Sequence, residues 1–311
     1  MTKSDHTSLF ALVAGRSHWT PRFVQGLGLL CASFLFTTPA VAEDFLQFDT
    51  QLKRDNNLGN SRVRYAVADN SLINTLNVGR IATLGDDPIT VILNGKLAST
   101  SYNRFTGLSH RDLGGTIEVK KKWGLGPYAP VFSGQLGYER QLFEQADRTQ
   151  DIQHAELRLS KRVIENLNLN ATWRLTQHHA ADNRSVEEDY SGAVYDGRYH
   201  TWSVSADYSI FGDHLLGLQY SQRKGDLVVT TVSDSAAIYS VAKAIRPDPA
   251  FGADRDAYRL DGEIKSWGFS YTIPLNRQWD LQFENQKHDS RVSNGVTYAK
   301  RVYSVSAHFK F

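Results

Sequence analysis

Apolar side chains occupy every second position from Tyr303 to Phe311, the last residue, and Ser, His and Lys fill the positions between them. Because successive side chains point to opposite faces of a β-strand, this segment would have one apolar and one polar face. The same two-residue period recurs at 167–175, 202–210 and 267–273. The sequence therefore predicts an all-β fold in which each strand has one apolar face and one polar face.

Two architectures give every strand an apolar face. In a soluble sandwich the apolar faces meet in a core, whereas in a transmembrane barrel they face lipid and the polar faces line a lumen. The periodic segments are about ten residues long, which is enough for a tilted strand to cross a bilayer. Aromatic residues stand at segment ends, at Trp123, Tyr128, Phe211 and Trp279, as in the interfacial girdles of membrane barrels. Both features favour the membrane barrel.

The connections between the segments sort by length. We predict an antiparallel up-and-down barrel over residues 43–311, with about twelve strands and with ten or fourteen as alternatives. The predicted strands are 44–54, 72–84, 89–102, 110–122, 129–142, 152–162, 167–179, 198–211, 214–230, 263–273, 277–290 and 298–311. Short turns follow the even-numbered strands, and longer polar loops, notably 55–71, 180–197 and 231–262, follow odd-numbered ones. Outer-membrane barrels have short periplasmic turns and longer outside loops, so both termini are expected in the periplasm.

The first 42 residues have a different composition. Three basic residues precede or begin an apolar stretch at 23–36, and Ala40-Val41-Ala42 follows it. This order predicts a secretory signal peptide that is cleaved after Ala42. The one Cys (Cys31) and the one Met (Met1) both lie in this segment, which excludes a disulfide framework from the mature chain. The mature chain also carries equal numbers of basic and acidic residues, so we expect no nucleic-acid partner.

The signal peptide, the alternating strands and the aromatic C-terminal strand ending in Phe311 together resemble the bacterial outer-membrane β-barrel class. The resemblance implies an integral outer-membrane protein in contact with outer-membrane lipids and lipopolysaccharide. It also implies that the barrel-assembly machinery recognises the C-terminal strand. Residues 48–57 and 289–298 resemble, more weakly, porin-like barrels of exopolysaccharide gene clusters and barrels that assist surface lipoproteins.

The polar faces of the predicted strands carry many charged residues. We predict as pore-lining residues Lys96, Glu118, Lys120, Glu139, Glu156, Arg158, Arg174, Asp207, Arg223, Asp280 and Glu284. A narrow lumen lined in this way predicts a passive channel for small polar or anionic solutes, with its charges setting the selectivity. The alternative is that the glutamates pair with basic residues of neighbouring strands and seal the lumen.

Two further functions remain open at this stage. His288 and Ser290 have the spacing that barrel phospholipases and lipid A deacylases use for a base and a nucleophile, which resembles a lipid hydrolase. In those enzymes the pair faces lipid, whereas here the alternation places both residues on the lumenal face. The other alternative is an accessory barrel for export of a polysaccharide or a surface protein. The sequence has no metal-ligand cluster or phosphate-binding loop, so we expect no cofactor and no metal.

Overall fold

The structure is a computed structural model that describes residues 41–84, 89–184, 190–232, 236–293 and 295–311 of the 311-residue chain. The predicted signal peptide, up to residue 40, and the turn at 85–88 lie outside the described residues. Cleavage after Ala42 therefore stays a prediction.

Strands dominate the described chain, and thirteen of them form one sheet. They are β1 (Val41–Asp55), β2 (Asp69–Leu84), β3 (Ile89–Tyr102), β4 (His110–Lys122), β5 (Val131–Phe143), β6 (Gln150–Ile164), β7 (Leu167–Ala180), β8 (Gly197–Ser209), β9 (Leu215–Val232), β10 (Ala244–Pro247), β11 (Arg255–Pro274), β12 (Trp279–Val292) and β13 (Thr297–Lys310). β9 pairs with β11, and β13 pairs with β1, so that twelve antiparallel strands close into a barrel. The prediction of an all-β, up-and-down barrel of twelve strands is confirmed.

The apolar faces of the strands form the outer wall of the barrel. Large apolar side chains are exposed there, among them Leu52 (64%), Leu113 (60%) and Trp267 (61%). Burying apolar surface is worth about 25 cal/mol per Å², so a wall of this kind is costly to leave in water. Lipid is the surrounding that such a wall suits. Among the described residues, no helix is long and apolar enough to cross a membrane.

The two ends of the barrel differ as the loop lengths predict. At the end where β1 begins and β13 ends, the connections are short, such as 165–166 between β6 and β7 and 210–214 between β8 and β9. At the opposite end the loops are longer, and they include 56–68 and 181–196. We call this second end the loop end and the first the turn end. That the turn end faces the periplasm stays a prediction.

The longest connection, between β9 and β11, is more structured than the predicted loop 231–262. Val232 still pairs with Arg255, so both strands continue past their predicted ends. Between them lie a short helix α1 (Ala236–Tyr239), the strand β10 and a 3-10 turn at Pro249–Phe251. The extension forms because apolar residues of the loop cover the strands. The buried cluster consists of Leu227, Val229, Ile238, Ile245, Tyr258, Leu260, Val292 and Tyr298.

Residues 236–251, which we call the cap, extend from the β9 side of the barrel to a loop of the opposite side. Phe251 in the cap packs against Phe105, with 5.2 Å between the ring centroids. Phe105 lies in the loop between β3 and β4, and β3 is six places from β9 in the ring of twelve strands. The cap therefore contacts a loop from the opposite side of the barrel at its loop end.

Candidate functional site

A cavity of about 980 Å³ lies in the lumen of the barrel. Its lining comes from β1, from β6 to β9 and from β11 to β13, together with Asn60 of the first long loop. Small hydroxyl and amide side chains dominate β7, β8 and β9 at this cavity. They are Asn168, Asn170, Thr172, Thr176, Thr201, Ser203, Ser205, Gln219 and Ser221. The inward faces of these strands thus present a continuous surface of hydrogen-bonding groups.

All the predicted pore-lining residues lie on the lumenal face of their strands, as the cross-strand register shows. Those that border the cavity are Glu156, Arg158, Arg174, Asp207, Arg223 and Glu284. The same face carries Lys96, Glu118, Lys120, Glu139 and Asp280 outside the cavity lining. Whether these side chains contact a passing solute stays a prediction.

Glu156 on β6 holds two guanidinium groups at the cavity wall. Its Oε1 lies 2.7 Å from Nη2 of Arg158, and its Oε2 lies 2.5 Å from Nη2 of Arg174. The carboxylate side chain is only 4% exposed, whereas the two arginine side chains are 43% and 44% exposed. Two charges on one carboxylate leave one positive charge in excess. The pairing predicted across neighbouring strands is thus present between Glu156 and Arg174, and the paired guanidinium groups still face open space.

A third basic group, Arg223 on β9, is fixed by an aromatic ring. Its guanidinium carbon lies 3.4 Å from the ring centroid of Tyr199 on β8, and its Nη2 donates a hydrogen bond of 2.8 Å to the carbonyl oxygen of Asp226. A cation over a ring face is attracted by the ring quadrupole. The guanidinium group of Arg223 is therefore held in a fixed position at the cavity wall.

Basic groups also border the cavity on the side of β1 and β13. Lys53 on β1 and Lys300 on β13 belong to the lining. Lys300 Nζ lies 3.1 Å from Oδ2 of Asp55, which is itself buried. β1 is five places from β6 in the ring, so Lys53 and Arg158 lie on different sides of the lumen. Positive charge therefore borders the cavity from two directions.

On the remaining wall, an ion pair reaches across an intervening strand. Lys96 on β3 and Glu139 on β5 are both in register with Gly114 on β4, and their Nζ and Oε2 atoms lie 2.6 Å apart. The absence of a side chain at Gly114 leaves the path between them free. Glu118 pairs with Lys120 of its own strand at 3.2 Å. The expectation that glutamates pair across neighbouring strands thus holds for Arg174 with Glu156, but not for these two pairs.

His288 and Ser290 do not form a lipid-facing catalytic pair. His288 borders the lumenal cavity, and its Nδ1 lies 2.7 Å from the hydroxyl oxygen of Ser266 on β11. Ser290, in register with Ile264 and Tyr298 on the same inward face, is 6% exposed. A nucleophile for a membrane lipid must reach the outer wall, and neither side chain does. The geometry gives the hydrolase hypothesis no support.

The cap is held over the loop end by buried charges. Nη1 of Arg148, in the loop between β5 and β6, lies 2.5 Å from Oδ2 of Asp248, and Asp248 is fully buried. The hydroxyl group of Thr230 donates a further hydrogen bond of 2.7 Å to the same oxygen. Burial is the largest single influence and acts to lower the pKa of Arg148. The charge of Asp248, its hydrogen bond and smaller contributions from Tyr195 and Tyr102 together outweigh burial, and the net shift of the pKa is upward. Arg148 therefore keeps its charge beside Asp248.

Arg246 in the cap binds the same loop between β5 and β6 and one further loop. Its Nη2 lies 2.7 Å from Asp147 and 3.2 Å from Asp182. The pKa of Asp182 is lowered, first by hydrogen bonds from the side chain and backbone of Arg184 and then by the hydrogen bond from Arg246. The cap is thus tied by charge to the loops that follow β5 and β7.

No protein-family model and no curated protein matches the sequence. Among solved structures, an outer-membrane channel from Pseudomonas putida F1 is similar over 88% of this chain and 97% of its own, with 9% identity and a TM-score of 0.57. The chain has the fold of an outer-membrane β-barrel. Looser matches are the outer-membrane channel DcaP of Acinetobacter baumannii (8% identity, 89% and 99% coverage, TM-score 0.45) and an anion-selective porin from Comamonas acidovorans (10% identity, 88% and 100% coverage, TM-score 0.42).

Several residues of this β-barrel were missing from the predicted site. Lys300 was not predicted because the last strand was recognised by its outward residues, although extending the alternation backwards would have placed Lys300 inside. Tyr199 was not predicted because an aromatic residue near a strand end suggests the membrane interface. The cap residues Arg148 and Asp248 lie in loops, where a sequence gives little indication of partners.

Proposed function

We propose that the chain is a narrow passive channel of the outer membrane for small polar or anionic solutes. The observation that carries this proposal is the cavity of about 980 Å³ in the lumen, which is bordered by polar and basic side chains. A filled barrel of fewer strands would hold side chains alone, whereas a ring of twelve leaves space between them. The cavity is the feature that a solute path requires.

The outer wall supports a location in the membrane. Its exposed apolar side chains suit a lipid surrounding, and an aromatic group stands at the turn end. The ring of Phe309 lies 4.5 Å from that of Trp279 and 4.3 Å from that of Phe311, measured between centroids. Aromatic residues of this kind anchor barrels at the membrane interface. The same C-terminal strand would bind the assembly machinery, and lipids with lipopolysaccharide would surround the wall.

The charges at the cavity support a preference for anions. Lys53, Arg158, Arg174, Arg223 and Lys300 outnumber the acidic residues at the lining, which are Glu156, Asp207 and Glu284. An excess of fixed positive charge raises the local concentration of anions and lowers that of cations. The hydroxyl and amide groups of β7 to β9 would replace water around a polar solute.

Planar-bilayer recording tests both parts of the proposal. The protein should conduct, and its reversal potential in a KCl gradient should indicate a preference for chloride. Arg158→Gln together with Arg174→Gln should shift that potential towards the cation side. The matched control is Arg111→Gln with Arg140→Gln, which removes two arginines from the outer face of β4 and β5. Absence of conductance would overturn the channel, and an unchanged potential would overturn the anion preference.

A further inference from the structure

The outer wall carries a groove of about 950 Å³ that crosses β11, β12, β13, β1 and β2 and ends at β3. Its lining is mostly apolar, and the apolar side chains are all substantially exposed. They are Leu52, Leu72, Phe269, Phe283, Tyr303 and Val305. A recess of this size and lining suits the acyl part of an amphiphile.

Three basic side chains stand beside the groove, towards the loop end. Arg54 on β1 is in register with Tyr303, which lies on the outer face of β13. Arg301, two residues before Tyr303, is directly opposite Lys287 on β12. All three side chains are exposed on the outer wall. The apolar groove and the basic group are thus adjoining parts of one surface.

The basic group lacks a full complement of carboxylates. Lys287 Nζ lies 2.9 Å from Asp289, while Arg54 and Arg301 have no ion pair within the part of the chain that the structure describes. Like charges directly opposite each other in a sheet destabilise it. A ligand with negative charge would remove this repulsion. Asn70, Asn103 and Asn285 at the groove could donate further hydrogen bonds to it.

We propose that this surface binds one phosphate-bearing lipid of the membrane leaflet at the loop end. Its acyl chains lie along Leu52, Phe283 and Val305, and its phosphate contacts Arg54 and Arg301. The proposal rests on the membrane location proposed above but not on conduction. A free anion would not use the apolar groove, and a second copy of the chain would bring equal charges together. A phosphorylated amphiphile satisfies both the apolar and the basic part.

The test measures lipid binding to the full chain purified in detergent. The probes are diphosphorylated lipid A, the same lipid without its phosphates, and inorganic phosphate alone, and the readout is native mass spectrometry across a titration. Wild type should bind lipid A more tightly than either of the other probes. Arg54→Gln with Arg301→Gln should weaken lipid A binding about thirtyfold, since each basic group near a lipid surface is worth about a fivefold factor. The control Arg111→Gln with Arg140→Gln should bind as wild type does.

A second variant tests the groove itself. Asn285→Trp would place a large ring between Tyr303 and Phe269, which are in register with Asn285 on either side. It should reduce binding of lipid A and leave the circular dichroism and the conductance of the barrel unchanged. Equal binding of lipid A by all variants would overturn the site. Equal binding of the dephosphorylated lipid would overturn the phosphate contact, and equal binding of inorganic phosphate would overturn the lipid.

Discussion

Arg148 and Asp248 form an ion pair of 2.5 Å that joins the loop after β5 to the cap. Asp248 is fully buried, and the side chain of Arg148 is 15% exposed. A buried pair contributes little net stability because desolvation of both charges offsets their attraction. Loss of one partner is a different matter, because it leaves the other charge buried without a counterion.

Arg148→Gln should therefore loosen the cap. Removing one partner of a buried ion pair costs about 3–5 kcal/mol, and here that cost weakens the attachment of the cap to the loop after β5. We expect a higher single-channel conductance and faster hydrogen exchange of the amides in residues 244–251. Arg184→Gln is the control, since Arg184 is 84% exposed in its pair with Asp182. Equal conductance of the two variants would contradict a closing role for Arg148.

Glu156→Gln should increase anion selectivity. The substitution removes the one carboxylate that Arg158 and Arg174 share, so both guanidinium groups keep their charge without a counterion. The reversal potential in a KCl gradient should move further in the direction of chloride, opposite to the shift expected for the double arginine variant. Asp280→Asn, also on the lumenal face but outside the cavity lining, should produce a smaller shift. A shift towards cations would contradict the assignment.

Gly114→Ala should destabilise the barrel. A Cβ atom at this position would lie 2.7 Å from the carbonyl oxygen of Tyr138 and 3.1 Å from Cβ of Glu139. Overpacking of this kind typically costs about 1–3 kcal/mol, and it would also disturb the ion pair that passes over Gly114. Urea unfolding in detergent should show the loss. Gly95→Ala is the control, because its nearest neighbours would lie at 3.6 Å, and its unfolding free energy should not fall.

The contact between Asp182 and Arg246 should persist into mild acid. The folded-state pKa of Asp182 lies below its ordinary value of 3.8, chiefly because of hydrogen bonds from Arg184 and then Arg246. A lowered folded pKa stabilises the folded loop at pH above about 4 and loses that effect only as the pH falls towards the folded value. Hydrogen-exchange protection around Arg246 should stay constant from pH 7 to about pH 4 and then decline.

Asp182→Asn supplies the comparison for that pH series. The variant should show lower protection at neutral pH, with the remainder coming from Asp147, which lies 2.7 Å from Arg246. Its protection should also change less than that of wild type below about pH 4. A wild-type decline that begins near neutral pH would contradict the lowered pKa.

The strands and their facing were predictable from the sequence because a membrane barrel imposes one rule on every strand. Trp202, Val204 and Tyr208 alternate with polar residues for the same reason that Phe309 does, namely that one side meets lipid and the other meets the lumen. The same alternation predicts that Arg174 and Arg223 face inward, and the structure has both on the inward face. Where this alternation holds, the local sequence is enough to predict which face of a strand each residue lies on.

The alternation of apolar outward residues with polar inward residues no longer applies where the strands extend beyond the membrane. Leu227 and Val229 are apolar on the inward face because the cap covers them, and nothing in a two-residue period predicts such a cover. The sequence did contain a signal in the apolar residues Ile238, Ile245 and Phe251, which a solvated loop would not require. The partner of Phe251, Phe105, lies more than a hundred residues earlier in the chain, and only the closed ring brings the two together.

The cap also has a mechanical meaning for the barrel. The barrel wall is a single layer of β-sheet. It resists stretching along its hydrogen bonds, but the cross-section of the barrel flattens easily into an oval. The cap is attached near β9 through Thr230 and Asp248 and meets the far side through Phe251 and Phe105, so it works as a crossbar that sets the distance between opposite walls. In the proposed channel, the largest solute that enters from the loop end would then be determined by the sixteen residues of the cap rather than by the number of strands.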